Sequence, residues 1–232
     1  MADAKKIGSS LLLSARHAGP AAASTMMRQV LSVAIDGRGP FQSAVKVANR
    51  QRLAHSGDVV PAVNVLIEQH VRLAGGQGFL TGLGGLATMV VALPANMTGL
   101  AIVQTRMVAA IAHLHGYDLA TQRVRTAVAA ILLGEDGVDD QIKHGRLPSR
   151  PLAIATAPVN DPSLHDRVAN IVGTSLTTRL GGKHLTTTMA RRIPFLGGGV
   201  GAVVDAVGTH QIGRYAAQEL PNRVPQVEHY RG

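Results

Sequence analysis

Apolar side chains recur along this chain at intervals of three and four, with little strict alternation, so the pattern predicts helices and few strands. Residues 24–35 and 40–54 read as two helices separated by Gly37-Arg38-Gly39-Pro40. Asp58 is placed to cap a third helix, with Pro61 tolerated in its first turn; it should run to about Leu73 and stop at Gly75 and Gly76. Pro94 should then separate helices over about 77–92 and 94–115, since proline suits a first turn better than an interior. The second of these carries Leu100, Val103, Met107, Ile111 and Leu114 on one face, the stripe of a helix packed on a core. Gly116 fits the position just past a helix end, and Asp118 the cap of a next helix over 119–133. There Val124, Val128 and Ile131 should face inward, with Arg123 and Arg125 outside the stripe.

Glu135, Asp136, Asp139 and Asp140, followed by Pro148, Pro151, Pro158 and Pro162, make residues 134–162 read as a flexible loop or insertion with at most a short helix. Helices resume near 163–180, 183–192 and 194–220. The expectation is an all-α, bundle-like domain over residues 58–220. A basic helical segment, 1–57, precedes it and a polar tail, 221–232, follows.

One stretch complicates this picture. Leu73–Thr105 is 33 residues without a charge or a histidine, and seven of them are glycine. About 20 apolar residues cross a bilayer, so the length suffices for entry into lipid, while the glycines suit close helix packing. Two short helices around Pro94 would form a re-entrant hairpin more readily than two full spans. Burial in a core and entry into a bilayer both remain open at this level.

Composition narrows the function classes. Only three Phe and three Tyr, with no Trp, leave few platforms for stacking bases, so no nucleic-acid partner is expected. The absence of cysteine excludes disulfides, thiolate metal sites and a cysteine nucleophile. The net charge of +9 favours an anionic partner such as a lipid surface. Lys5, Lys6 and Leu11–Leu13 mimic the start of a signal peptide, but the apolar run ends at Arg16, too short for one. The expected location is therefore the cytoplasmic face of a membrane.

Candidate chemistry is sparse. Gly78 and Gly82, and again Gly197 and Gly201, are four apart and would form grooves for a neighbouring helix backbone. Gly197-Gly-Gly199-Val-Gly-Ala202 satisfies a dinucleotide fingerprint, but no strand precedes it to give the motif meaning. His113, Asp118 and Arg214 are candidates for a polar site. His113 and His115 point in different directions on a helix, so no metal is expected, nor any cofactor. Asp205 is the only charge between Ile193 and Gly208 and needs a partner if buried; Arg106 is the expected one. Nucleophile elbow, phosphate loop and zinc-helix motifs are missing, so no catalytic residue is assigned.

Gly78-Phe-Leu-Thr-Gly-Leu-Gly-Gly, then Leu93-Pro-Ala-Asn96, then Arg106-Met-Val-Ala-Ala-Ile-Ala-His-Leu-His-Gly-Tyr-Asp118 resembles the EcsC protein family. Ile193-Pro-Phe-Leu-Gly-Gly-Gly-Val-Gly-Ala, continuing through Asp205 to Ile212-Gly-Arg-Tyr-Ala-Ala217, is similar to that family's closing segment. The resemblance covers roughly residues 60–220. It implies a helical, often membrane-associated protein, and the family is named for one encoded beside an ABC transporter. An accessory or scaffolding role at a membrane is therefore the leading expectation, with a membrane protein such as a transporter as partner. The rivals are a lipid- or metal-dependent hydrolase with a polar pocket near His113 and Asp205 and, ranked below it, a soluble basic nucleic-acid-binding protein, which would need a continuous Arg/Lys stripe on one face.

Overall fold

The computed structural model describes residues 20–38, 42–83, 85–180 and 197–224; side chains of 20–22, 77–98, 176–180 and 197–201 lie outside that description. The protein is all-α. Nine helices are described: α1 (Pro20–Asp36), α2 (Ala44–Ala54), α3 (Val59–Leu83), α4 (Gly85–Leu114), α5 (Gln122–Ile131), α6 (Glu135–Lys143), α7 (Pro151–Ala155), α8 (Pro162–Leu180) and α9 (Gly197–Glu219). The expected helix over 183–192, the leader and the end of the tail lie outside the described residues.

The C-terminal half of α4 is the axle of the domain. From Ala101 to Leu114 nearly every residue is buried, including Met107, Val108, Ala110 and Ile111 with no exposure. A helix apolar all round must be enclosed on all sides, and α1, α2, α3, α5, α8 and α9 do this. Each neighbour presents a narrower stripe. On α1 it is Met27, Val30, Leu31, Ala34 and Ile35; on α5, Val124, Ala127, Val128 and Ile131; on α8, Val168, Ala169 and Val172. Residues of α1 and α2 therefore supply part of this core.

Two expected breaks are absent. Helix α3 continues through Gly75 and Gly76 to Leu83, and α4 continues through Pro94. Gly75 does not end its helix because it is a contact: a Cβ there would lie 3.6 Å from the Ala202 carbonyl and 3.7 Å from the Ala206 methyl on α9. The region 134–162, expected as a loop, contains α6 and α7, held by buried Val138, Leu147 and Ile154. Two of its acids are also anchored, since Arg150 reaches Asp139 at 2.9 Å and Glu135 at 3.9 Å and bridges them to Glu219 of α9 at 3.5 Å.

Gly116, at φ +85°, closes α4 with the paired bonds of a left-handed cap: Tyr117 N–H to Ala112 (2.9 Å) and Gly116 N–H to His113 (3.0 Å). Asp118 does not cap α5. Its carboxylate accepts from Ala120 N–H (2.9 Å), making a turn, and α5 starts after Thr121. The fork of Arg125 on both oxygens of Asp36 (3.0 Å for one arm) ties α5 to the end of α1.

Candidate functional site

Three contacts set the heights of α3, α4 and α9. A Cβ at Gly213 on α9 would touch both Ile67 of α3 and Met107 of α4, at 3.0 and 3.1 Å. Gln104 on α4 donates to the Thr209 hydroxyl at 3.0 Å. Gly75 meets Ala202 and Ala206. Residue numbers rise together on α4 and α9 and fall on α3, so α3 is antiparallel to the other two.

These heights place the last charges of the three helices close together. Asp205 is level with Gly75 and Arg72 lies just below it. Arg106 is within about two turns, the separation of Ile67 from Gly75 at 1.5 Å per residue. Beyond them, 73–105 on α3 and α4 and 193–204 leading into α9 hold no charge. At this boundary the structure exposes Leu73 (49 %), Val203 (62 %), Val204 (63 %) and Val207 (51 %). Single exposed apolar residues are ordinary, but four at one height form a rim.

The expected Arg106–Asp205 pair is not formed. Among the described residues neither has an ion-pair partner, and the Arg106 Nε is buried without a hydrogen bond. Burial alone pushes the Asp205 carboxyl up and Arg106 down. Geometry explains this. Arg106 is two residues from Gln104, so its side chain leaves α4 in another direction, and Asp205 is a full turn from Thr209. The tie between α4 and α9 is Gln104–Thr209 instead, both buried.

Arg106 faces His70 on α3. Burial pushes the His70 imidazole down to about 4, and the Arg106 charge adds to this. His70 Nδ1–H donates to the Leu66 carbonyl (2.8 Å), leaving Nε2 buried without a partner; the buried Thr105 hydroxyl has none either. Sequence reading missed His70, whose only signal was an uncapped polar residue inside an apolar helical stripe.

The other candidate residues do not converge. His113 contacts Asn49 on α2 at 3.3 Å, and its imidazole is held down by burial, then by Arg52, with Asp118 opposing. His115 donates to the Leu220 carbonyl. Asp205 on α9 is fifteen residues before Leu220, about 20 Å along the helix direction, so the described residues do not bring His113 and Asp205 into one pocket. Among the described residues no group of three or more His, Asp or Glu is placed to hold a metal ion. Gly78, Gly82, Gly197 and Gly201 sit on α3 and α9, but their contacts lie outside the description.

Arg214 belongs to a different feature. It lines a cleft of about 560 Å³ between α9 and the α5–α6 junction. One wall is the start of α6, with Glu135 and Asp136; Gly134 precedes it at φ +76°, and no side chain caps the helix. The other wall is α9, with His210, Gln211, Arg214, Tyr215 and Gln218. Tyr215 is 5 % exposed, and its hydroxyl is buried without a hydrogen bond. Burial, then the charge of Glu219, pushes that phenol well above its ordinary value. Among the described residues no ion pair crosses the cleft, and Glu135 is engaged only by Arg150, at 3.9 Å. Nothing in sequence spacing signalled this cleft, because its walls are about 75 residues apart.

No helix among the described residues is long and apolar enough to cross a membrane. No curated protein sequence and no solved structure matches the chain. A family model matches residues 41–224, which takes in α2 and the α6–α7 region as well as the glycine-rich helices, and the chain belongs to the EcsC protein family.

Proposed function

We propose that this protein is a membrane-associated accessory or scaffolding protein that seats the charge-free end of α3, α4 and α9 in one leaflet. The observation that carries this is that Arg72 and Asp205, the last charges on α3 and α9, stop at one height with Arg106 of α4 about two turns below, and that Leu73, Val203, Val204 and Val207 are exposed where the charges of α3 and α9 stop. From Leu73 to Leu83 the helix rises about 15 Å, half the roughly 30 Å hydrocarbon thickness, which suits entry from one side without crossing. The net charge of +9 adds attraction to anionic headgroups, on the order of 1 kcal/mol for each basic residue near the surface. The role proposed is to bind and position at the cytoplasmic face, with a membrane protein such as a transporter as the partner to seek.

Fractionation of expressing cells tests this reading. Protein in the membrane pellet that resists a high-salt wash supports seating by apolar contact. Release by salt would reduce the attachment to electrostatics, and recovery wholly in the supernatant would overturn the proposal.

A further inference from the structure

The cleft and the exposed valines share one face of α9. Val204 is one turn from Gly208, and Val207 one turn from Gln211, and both Gly208 and Gln211 line the cleft. Arg214, Tyr215 and Gln218 continue the same side of the helix at spacings of three and four. A polar cleft therefore opens, toward the charge-free end, onto a strip of exposed apolar side chains. From Val207 to Arg214 the helix rises about 10 Å, comparable to the depth of a headgroup layer.

We propose that this cleft and strip bind one phospholipid whose headgroup carries a primary ammonium and a phosphate, the phosphoethanolamine class, with an acyl chain along Val204 and Val207. The reasoning starts from the walls. Acidic Glu135 and Asp136 face basic Arg214 and His210 without bridging to them, so a dipolar ligand satisfies both sides. The ammonium donates to Asp136 and Glu135. The phosphate accepts from Arg214 on the opposite wall. The buried Tyr215 hydroxyl, with no partner of its own, gains a phosphate oxygen as acceptor. A choline headgroup fits less well because its nitrogen carries no hydrogen to give the carboxylates. The cleft volume is within the usual range for small-ligand sites.

This rests on the membrane-seated reading, so the experiment has two arms. In the first, purified full-length protein is floated with phosphatidylcholine/phosphatidylglycerol vesicles with and without phosphatidylethanolamine at fixed anionic content. Phosphatidylethanolamine should raise binding at least roughly fivefold, about 1 kcal/mol. Arg214→Gln and Asp136→Asn should each remove that gain, while binding to vesicles that lack it shifts only by the one charge removed, down for Arg214→Gln and up for Asp136→Asn. Equal binding to both vesicle types overturns the lipid proposal and leaves membrane seating intact. In the second arm, soluble phosphoethanolamine is titrated calorimetrically. If no vesicle binds, the membrane reading fails; heat of binding lost in Arg214→Gln then keeps the cleft as a headgroup-type site for a soluble ligand, and absence of heat overturns it.

Discussion

Gln104 donates its side-chain amide to the Thr209 hydroxyl across 3.0 Å inside the core, and this bond fixes the height of α4 against α9. Thr209 is fully buried and Gln104 nearly so, so a lost partner leaves a buried polar group unsatisfied. Thr209→Val should therefore cost about 1–3 kcal/mol in urea unfolding, the penalty of a stranded buried amide. The double variant Gln104→Leu/Thr209→Val should recover much of that loss. Equal loss in single and double variants would show that the bond contributes nothing beyond packing.

The missing Arg106–Asp205 pair reverses an order that the sequence alone suggests. Asp205 is partly buried and has no ion-pair partner among the described residues, whereas Asp139 holds Arg150 at 2.9 Å. Asp139→Ala should lower the melting temperature more than Asp205→Ala, although the partly exposed pair is worth only about 1 kcal/mol at most. A larger drop for Asp205→Ala would mean that its carboxylate has a partner in solution.

Two glycines make opposite predictions. A Cβ on Gly173 of α8 would overlap the backbone carbonyl of Ala23 on α1. Gly173→Ala must force those helices apart, at a cost of about 1–3 kcal/mol. Gly76 has open space around its missing Cβ and sits within helix α3. There Gly76→Ala should stabilise by roughly 0.5–1 kcal/mol, the helix-propensity gain. Thermal unfolding of the pair checks both signs together.

His70 makes stability depend on pH. Its folded-state value of about 4 lies below the ordinary 6.5, so the unfolded chain takes up a proton first. The contribution of the neutral, buried ring is fully present above about pH 6.5. It declines as pH falls and levels off near pH 4, a loss of up to about 3 kcal/mol. His113, His115 and His165 are also held down by burial and add to the slope in the same direction. His70→Leu should flatten the decline between pH 6.5 and 4.5 in urea titrations; an unchanged slope would place the titration elsewhere.

Local signals were legible where one residue has one meaning. Gly116 ends α4 as its position suggests, and the Val124, Val128 and Ile131 stripe faces the core. They misled where one residue type serves two purposes. Gly75 resembles a helix stop, yet acts as the contact between α3 and α9. Pro94 resembles a helix start, but α4 carries it in its interior. In 134–162, the apolar anchors Val138, Leu147 and Ile154 are too far apart to show a period, while the acids that suggested a solvated loop gather around Arg150. The cleft was invisible because Arg214 and Tyr215 meet Asp136 only through the fold.

The most direct test of membrane seating is flotation of the purified protein with phosphatidylglycerol-containing vesicles, comparing wild type with Val203→Asp/Val204→Asp. Both valines are well exposed, so the variant should fold with an unchanged melting temperature. Each Val→Asp change removes about 1–2 kcal/mol of apolar burial and adds a charge that opposes insertion, so vesicle affinity should fall roughly tenfold or more. Flotation of the folded variant equal to wild type would contradict the account.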